Sequence, residues 1–325
     1  MDFQLSEDQE ALRAGIRSFC DGRVPIEALR ELEKQGFDPA LWGELAEMGV
    51  FSLRQREAAG GVGLGSADAV IVFAELGRSL VPGPLVWTHL AADLVPGAGA
   101  GEVVVGGVED LRAGSDPVLV EHLDQLDALL VLRRDGVYRV DPRALRGRSV
   151  GTPLDPFTPL FHVDALPAGD RVADAAAVVA LRLEGAALVA GQLFGIAERT
   201  QELATDYAKK RQQFDRAIGS FQAIKHILAD CYTRQEIARA AAYAAGATLD
   251  DPGVGLVARA VATAKVVAGD AAMKNARACI QVHGGMGYTW EIPAHFYLKR
   301  VWVLENAFGD AGEHAEQMAE IIAAD

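Results

Sequence analysis

Three long alanine-rich segments, about 174–210, 220–249 and 254–283, carry apolar residues at helical spacing. Segments of this length cannot bury their apolar faces alone and need one another as partners. A further helix is predicted over Ala311–Ala323. The second half of the chain is therefore helical.

The first ninety residues also read as helix. Leu5, Leu12, Ile16 and Phe19 recur at helical spacing, and Ser6 followed by Glu7 and Asp8 marks a helix start. A second helix is predicted over Pro39–Met48, with Leu41, Trp42, Leu45 and Met48 on one face and Gly49 as its stop. A third runs from Ser66 to Leu80, before Pro82 and Pro84 break the chain. Between 91 and 170 the character changes. Val103–Val105, Leu129–Leu132 and Val137–Val140 read as short strands, with Asp135-Gly136 as a hairpin turn. Asp155-Pro156 and Pro167–Asp170 mark further turns.

This gives three regions: 1–90 helical, 91–170 a small β region, 171–325 helical. Segregated rather than alternating elements predict an α+β fold, mainly α. The Gly60–Gly65 run lacks the preceding strand that a phosphate-binding glycine loop requires, and is read as a plain loop.

Half of the 325 residues are hydrophobic and 23% are charged, as in soluble globular proteins. A net charge of −14 argues against nucleic acid or an anionic membrane as partner, while leaving room for a local anion site. No apolar run is expected to be long enough and charge-free enough to span a bilayer. The start of the chain lacks the basic residues and apolar core of a secretory signal, so a cytoplasmic setting is expected. Cys20, Cys231 and Cys279 are odd in number and widely spaced, and are read as buried thiols. His226, His295 and His314 have no metal-ligand spacing, so no metal site is expected.

Two motifs carry chemistry. Arg211-Gln-Gln213-Phe214 is followed by Phe221-Gln222, and Gln281 opens a stretch ending Gly284-Gly285-Met-Gly287-Tyr288. An arginine fork suits a phosphate or carboxylate. Glycines let backbone approach a bulky ligand. Each also has a plainer reading. Arg211 could be a solvated helix-end arginine, Phe214 and Phe221 core anchors, and Gly284–Gly287 a helix cap and turn.

In this order and spacing the motifs resemble the acyl-CoA dehydrogenase family. The resemblance extends to Phe3-x-Leu5-x-Glu7-x-Gln9, Leu45–Val50, Gly60–Leu64, Glu75-Leu-Gly77-Arg78, Tyr207–Phe214 and Tyr297-x-x-Arg300. It implies an N-terminal helical domain (1–90), a small β domain (91–170) and a C-terminal four-helix bundle (171–325). It also implies FAD as cofactor and an acyl-CoA thioester as substrate, with an electron-transfer flavoprotein as acceptor. Arg211, Gln213, Phe214, Gln222, Gln281, Gly284 and Gly285 would contact the FAD of a neighbouring subunit.

The sequence departs from the family at the base. The reaction removes an α proton with a carboxylate. Counting from Arg300, Gly309 stands where many members carry that glutamate, and Asp310 beside it reads as the N-cap of the last helix. Other members place the base on an earlier helix. There Gly185 falls at the position, with Glu184 next to it as the candidate; its plainer reading is a solvated carboxylate near a helix start. Asp215 stands where the family usually has glycine. Ala113–Asp116 echoes a flavin-covering stretch, but the hairpin and strand that should follow are not found before Leu126.

These departures resemble the shortened subunit of heterotetrameric, steroid side-chain type bacterial members, in which a full-length partner supplies base and flavin cover. Two alternatives stand beside it: a self-sufficient homo-oligomer using Glu184, and a flavin-free structural or acyl-CoA-binding module. Lys299-Arg300 would either face an acidic neighbour or anchor the last loop.

Overall fold

The computed structural model describes residues 4–35, 37–111, 117–289 and 291–324. In chain order the helices and strands are α1 (Glu7–Arg23), α2 (Leu29–Gln35), α3 (Pro39–Glu47), α4 (Ser66–Arg78), α5 (Leu85–Leu90), β1 (Val105–Glu109), β2 (Val118–Glu121), β3 (Ala128–Arg133), β4 (Gly136–Val140), β5 (Gly147–Ser149), β6 (Leu160–Val163) and β7 (Asp170–Asp174). They continue with α6 (Ala175–Lys210), β8 (Gln212–Gln213), β9 (Arg216–Ala217), α7 (Gln222–Asp250), α8 (Val257–His283), α9 (Ala294–Leu304) and α10 (Ala311–Ala324). The chain divides into two units. One comprises Met1–Leu29, Ser66–Val81 and Ala186–Asp325; the other comprises Arg30–Gly65 and Pro82–Gly185.

In the first unit, α1 starts on a capping box. Ser6 Oγ accepts from the Gln9 N–H, and Gln9 Oε1 accepts from the Ser6 N–H, each at 3.2 Å. Arg17 of α1 makes a two-pronged bond to Glu75 of α4, at 2.8 and 2.7 Å, and a third to Glu198 of α6 at 2.9 Å. Small residues let the helices close in. A Cβ on Gly195 would sit 1.8 Å from the carbonyl oxygen of Ala74, so α6 lies against α4 only because the side chain is absent. The helices α6, α7, α8 and α10 form the C-terminal bundle. Fully buried Asn275 of α8 donates through Nδ2 to Ala197 O of α6 at 3.1 Å and to Cys231 O of α7 at 2.9 Å. Tyr297 and Arg300 of α9 are structural: the Tyr297 hydroxyl donates to Arg78 O, and Arg300 Nη1 donates to Val81 O. Arg300 is buried and ties α9 to the segment after α4, rather than to the last loop or an acidic neighbour as considered from the sequence.

In the second unit, Asp38 caps α3 and Pro39 opens it, while Gly49 beyond its end takes φ +77°. A four-stranded sheet runs β1-β3-β4-β7, with β1 parallel to β3 and the other pairs antiparallel. A second sheet runs β2-β6-β5. Leu129–Leu132 on β3 are fully buried, which explains their unbroken apolar run. The strand expected at Val103–Val105 begins instead at Val105 and continues through Gly106-Gly107. The Trp87 ring occupies the place a Gly107 Cβ would take, so strand and glycine coexist for packing reasons.

One expectation needs correction. By length and composition α6 could cross a membrane: an 18-residue window reaches mean hydropathy 1.5. Of that window, 67% is buried inside the protein, as in a core helix. The three cysteines are free and buried. Among the described residues no cluster suited to a metal exists.

Candidate functional site

The end of the bundle carries the two motifs on one shared core. Ala204 and Ala208 of α6, Cys279, Ile280 and Val282 of α8, and Ala294 of α9 pack together, with Tyr207, Ile218 and Ile224 against them. Tyr207 lies 4.2 Å, centroid to centroid, from His283. Burial lowers the His283 pKa, and its Nδ1 donates to Cys279 O at 2.8 Å, so this histidine locks the helix end. The arginine hairpin and the glycine turn are thereby fixed at the same end of the bundle.

Arg211 is the first residue past α6. Its N–H donates to Tyr207 O and its carbonyl accepts from the Ile218 N–H, each at 2.8 Å, which closes the β8–β9 hairpin. Its side chain is exposed, as are those of Gln213, Gln222 and Gln281. Phe214 and Asp215 form the hairpin tip at φ +52° and +59°. Aspartate tolerates the left-handed region, which accounts for its standing where the resemblance leads one to expect glycine. A phenylalanine there is strained by about 1–2 kcal/mol. Phe214 is also 86% exposed, so it is no core anchor. Phe221 is half-buried, edge-on to Phe214 at 6.1 Å.

At the other motif, Gly284 takes φ +62° and its N–H donates to Gln281 O. The segment is a helix cap followed by a short 3-10 turn over Gly284–Tyr288. Cβ atoms on Gly284 or Gly285 would meet nothing within 4 Å, whereas one on Gly287 would strike Ile280 O at 2.5 Å. Gly287 serves packing; Gly284 and Gly285 leave backbone open to a large ligand. An exposed arginine, three exposed glutamine amides and an open glycine backbone are the donor set a dinucleotide needs.

The position at which the resemblance would place a base is crowded. Gly309 is buried at φ +93°, and a Cβ there would lie 3.0 Å from His314 Nε2. His314 Nε2 donates to Phe308 O at 3.0 Å. Asp310 Oδ1 accepts from the Glu313 N–H at 2.9 Å, so Asp310 caps α10 as expected.

Glu184 lies within α6, well past its start, with its side chain 15% exposed; the expectation of a solvated carboxylate near a helix start is overturned. The cause is two partners remote in sequence. Arg54 ion-pairs with Oε2, and His89 Nε2 lies 3.4 Å from Oε1. His89 Nδ1 sits 3.0 Å from the Val50 carbonyl, which can only accept, so Nδ1 carries the hydrogen. Burial alone would raise the Glu184 pKa. The hydrogen bond from His89 and the charge of Arg54 outweigh it and hold the group below the ordinary carboxylate range. A cavity of about 100 Å³ adjoins this triad, lined also by Phe51, Gln55, Leu90, Ala92 and Asp93.

Some expected elements, including Phe3 and Ala113–Asp116, fall outside the described residues. Sequence reading missed Arg54 and His89, and no local motif signals either.

This chain belongs to the acyl-CoA dehydrogenase family. The family's N-terminal domain matches residues 6–100 and its C-terminal domain residues 177–323. The acyl-CoA dehydrogenase IpdE2 of Mycobacterium tuberculosis is 33% identical over 313 residues, covering 90% of this chain and 91% of that one. FadE34 of the same organism is 32% identical over 351 residues; the match takes in 95% of this chain but 46% of FadE34, so the chain spans about half the length of that relative. Among solved structures, the ChsE4–ChsE5 complex from M. tuberculosis superposes with a TM-score of 0.87 at 25% identity, covering 100% of both chains.

Proposed function

We propose that this chain is the FAD-contributing subunit of an acyl-CoA dehydrogenase that introduces an α,β double bond into an acyl-CoA thioester. A homologous full-length subunit supplies the catalytic base, in an α2β2 assembly working in the cytoplasm with an electron-transfer flavoprotein. The observation that carries this reading is Phe214: strained, 86% exposed, and at the tip of the arginine hairpin. Strain at an aromatic this exposed is only partly returned by its edge contact with Phe221 and is the mark of a contact made elsewhere.

In this reading the Arg211 guanidinium pairs with the FAD diphosphate, and the Gly284-Gly285 backbone allows close approach. Phe214 covers an apolar face, while Gln213, Gln222 and Gln281 offer amides to the nucleotide. FAD, when bound, supplies the acceptor for the β hydride. The α proton needs a carboxylate, and this chain has glycine at 309 and a Glu184 engaged by Arg54 and His89. The base therefore comes from the partner.

A second reading rests on Glu184 itself. It is an anionic side chain beside a polar cavity, and a self-sufficient enzyme would use it as base. Visible spectroscopy and turnover separate the two. The purified chain should be colourless, and the chain co-expressed with a full-length homologous subunit should be yellow and active. Arg211→Ala should strip flavin from the complex, and Glu184→Gln should leave turnover intact. One tightly held flavin per lone protomer, with turnover abolished by Glu184→Gln, would overturn the division of labour. Failure of any partner to restore flavin would point to a flavin-free module.

A further inference from the structure

Within the first unit, α1, α4 and α6 meet in a cluster of charges that the proposed reaction does not use. Three arginines stand there, and each already has a carboxylate. Arg17 gives its fork to Glu75, at 2.8 and 2.7 Å. Arg78 donates to Glu202 at 2.7 Å and faces the exposed Asp21 at 3.5 Å. Arg199 reaches the same Glu202 oxygen at 3.0 Å. Arg13, one turn before Arg17 on α1, pairs with Glu10 of its own helix at 2.6 Å. Glu198 is the carboxyl group left over. Its side chain is 19% exposed, and it shares Arg17 with Glu75, at 2.9 Å. Arg78 Nε stays 3.6 Å away, beyond hydrogen-bond reach. The cluster holds four carboxyl groups (Asp21, Glu75, Glu198 and Glu202) against three guanidiniums (Arg17, Arg78 and Arg199).

Guanidiniums keep their charge, so an excess of negative charge in a sheltered cluster is relieved by protonating a carboxylate. Burial raises the Glu198 pKa. Arg17 and Arg78 pull it down, and the like charges of Glu75 and Glu202 tip the balance upward. The remaining titratable groups that face the cluster stay neutral. Burial pushes the Cys20 thiol of α1 and the Tyr297 phenol of α9 up to about 12, and raises the Tyr243 phenol of α7. A protonated Glu198 still accepts from Arg17 through Oε2 and no longer repels Glu75. We propose that Glu198 carries a proton in the folded protein, and that this proton latches α1 onto α4 and α6. When the proton leaves, Glu75 and Glu198 compete as anions for Arg17, and α1 loosens. The folded chain then binds more protons than the unfolded one. The contribution of Glu198 is fully present below the ordinary carboxylate range and is lost as pH rises through the folded value, opposite in sign to that of Glu184.

Infrared spectroscopy reads the proton, and hydrogen exchange of the α1 amides reads the latch. At about pH 5.5, where solvated carboxylates are ionised, the purified full chain should show a protonated-carboxyl stretch that Glu198→Gln removes. Glu75→Gln should remove it as well, by letting Glu198 pair with Arg17 as an anion. Corrected for the intrinsic exchange rate, the opening of α1 should grow about tenfold per pH unit between the ordinary carboxylate value and the folded one. In Glu198→Gln, whose carboxamide stays neutral, it should remain at the wild type's acid-side level. A missing band, or a band that survives in both variants, would place no proton on Glu198 and overturn the proposal. Identical pH profiles in the wild type and Glu198→Gln would do the same. So would an α1 that opens more in Glu198→Gln than in the wild type at every pH, the behaviour of an ordinary ion pair.

Discussion

The outer end of the bundle and the Glu184 pocket treat their polar groups in opposite ways. At the bundle end, Arg211, Gln213, Gln222 and Gln281 point to solvent, and a strained phenylalanine stands at the tip. In the pocket, a carboxylate is enclosed by Arg54 and His89 and needs nothing from outside. A group satisfied within its own chain contributes to stability. A group left exposed on the surface is available to something else. The contrast separates what this protein keeps for its own fold from what it offers to a ligand or partner.

The sharpest way to break the comparison is to put a carboxylate at the position where the resemblance would place the base. Gly309 combines a left-handed backbone with a side-chain direction blocked by His314. Gly309→Glu should therefore destabilise the protein by about 3 kcal/mol, the sum of backbone strain and overpacking. Urea unfolding measures it. A neutral substitution would mean that the interior is open at 309, and that the missing base is a matter of sequence alone.

The pocket gives the next effect. Arg54→Met leaves Glu184 mostly buried with only His89 beside it, and should cost about 2 kcal/mol, below the full range for a broken buried pair because Arg54 is partly exposed. The pH dependence has a defined sign. The folded pKa of Glu184 is lowered, so the unfolded chain binds more protons in acid and stability rises with pH there. Its contribution is fully present above the ordinary carboxylate range and is lost as pH falls through the folded value. Glu184→Gln should flatten this acid limb in unfolding experiments at stepped pH. Unchanged slopes would mean that the triad does not hold the carboxylate in its charged form.

Much of the fold was legible in the sequence because periodicity reports burial directly. The segments read at about 174–210, 220–249 and 254–283 emerge as α6, α7 and α8 with boundaries within a few residues. β1 starts two residues later than the apolar run alone suggests and takes in two glycines, because Leu126 packs against Gly106 and Trp87 against Gly107. The short α9, following Pro293, was not read as a helix at all. At the site, residue types were legible and environments were not. Arg54 and His89 meet Glu184 only through tertiary packing, so no local pattern announces the triad. The Arg216–Phe221 stack likewise depends on the hairpin register, which short polar strands hardly signal.

The smallest effect sharpens the comparison most, because it should move stability and binding in opposite directions. Phe214 occupies a left-handed conformation that glycine takes at no steric cost, and its ring buries little surface in this chain. Phe214→Gly relieves about 1–2 kcal/mol of backbone strain. Glycine's greater freedom in the unfolded chain and the lost edge contact with Phe221 take back part of that. The net should be a gain of up to about 1 kcal/mol, read as a higher urea midpoint with an unchanged slope. The same variant should hold flavin less well in the co-assembled complex, since the apolar cover at the hairpin tip is gone. A residue retained for the fold would show the reverse, a lower midpoint with flavin content unaltered. A gain in stability joined to a loss of flavin is the signature of strain kept for a contact that this chain does not make by itself.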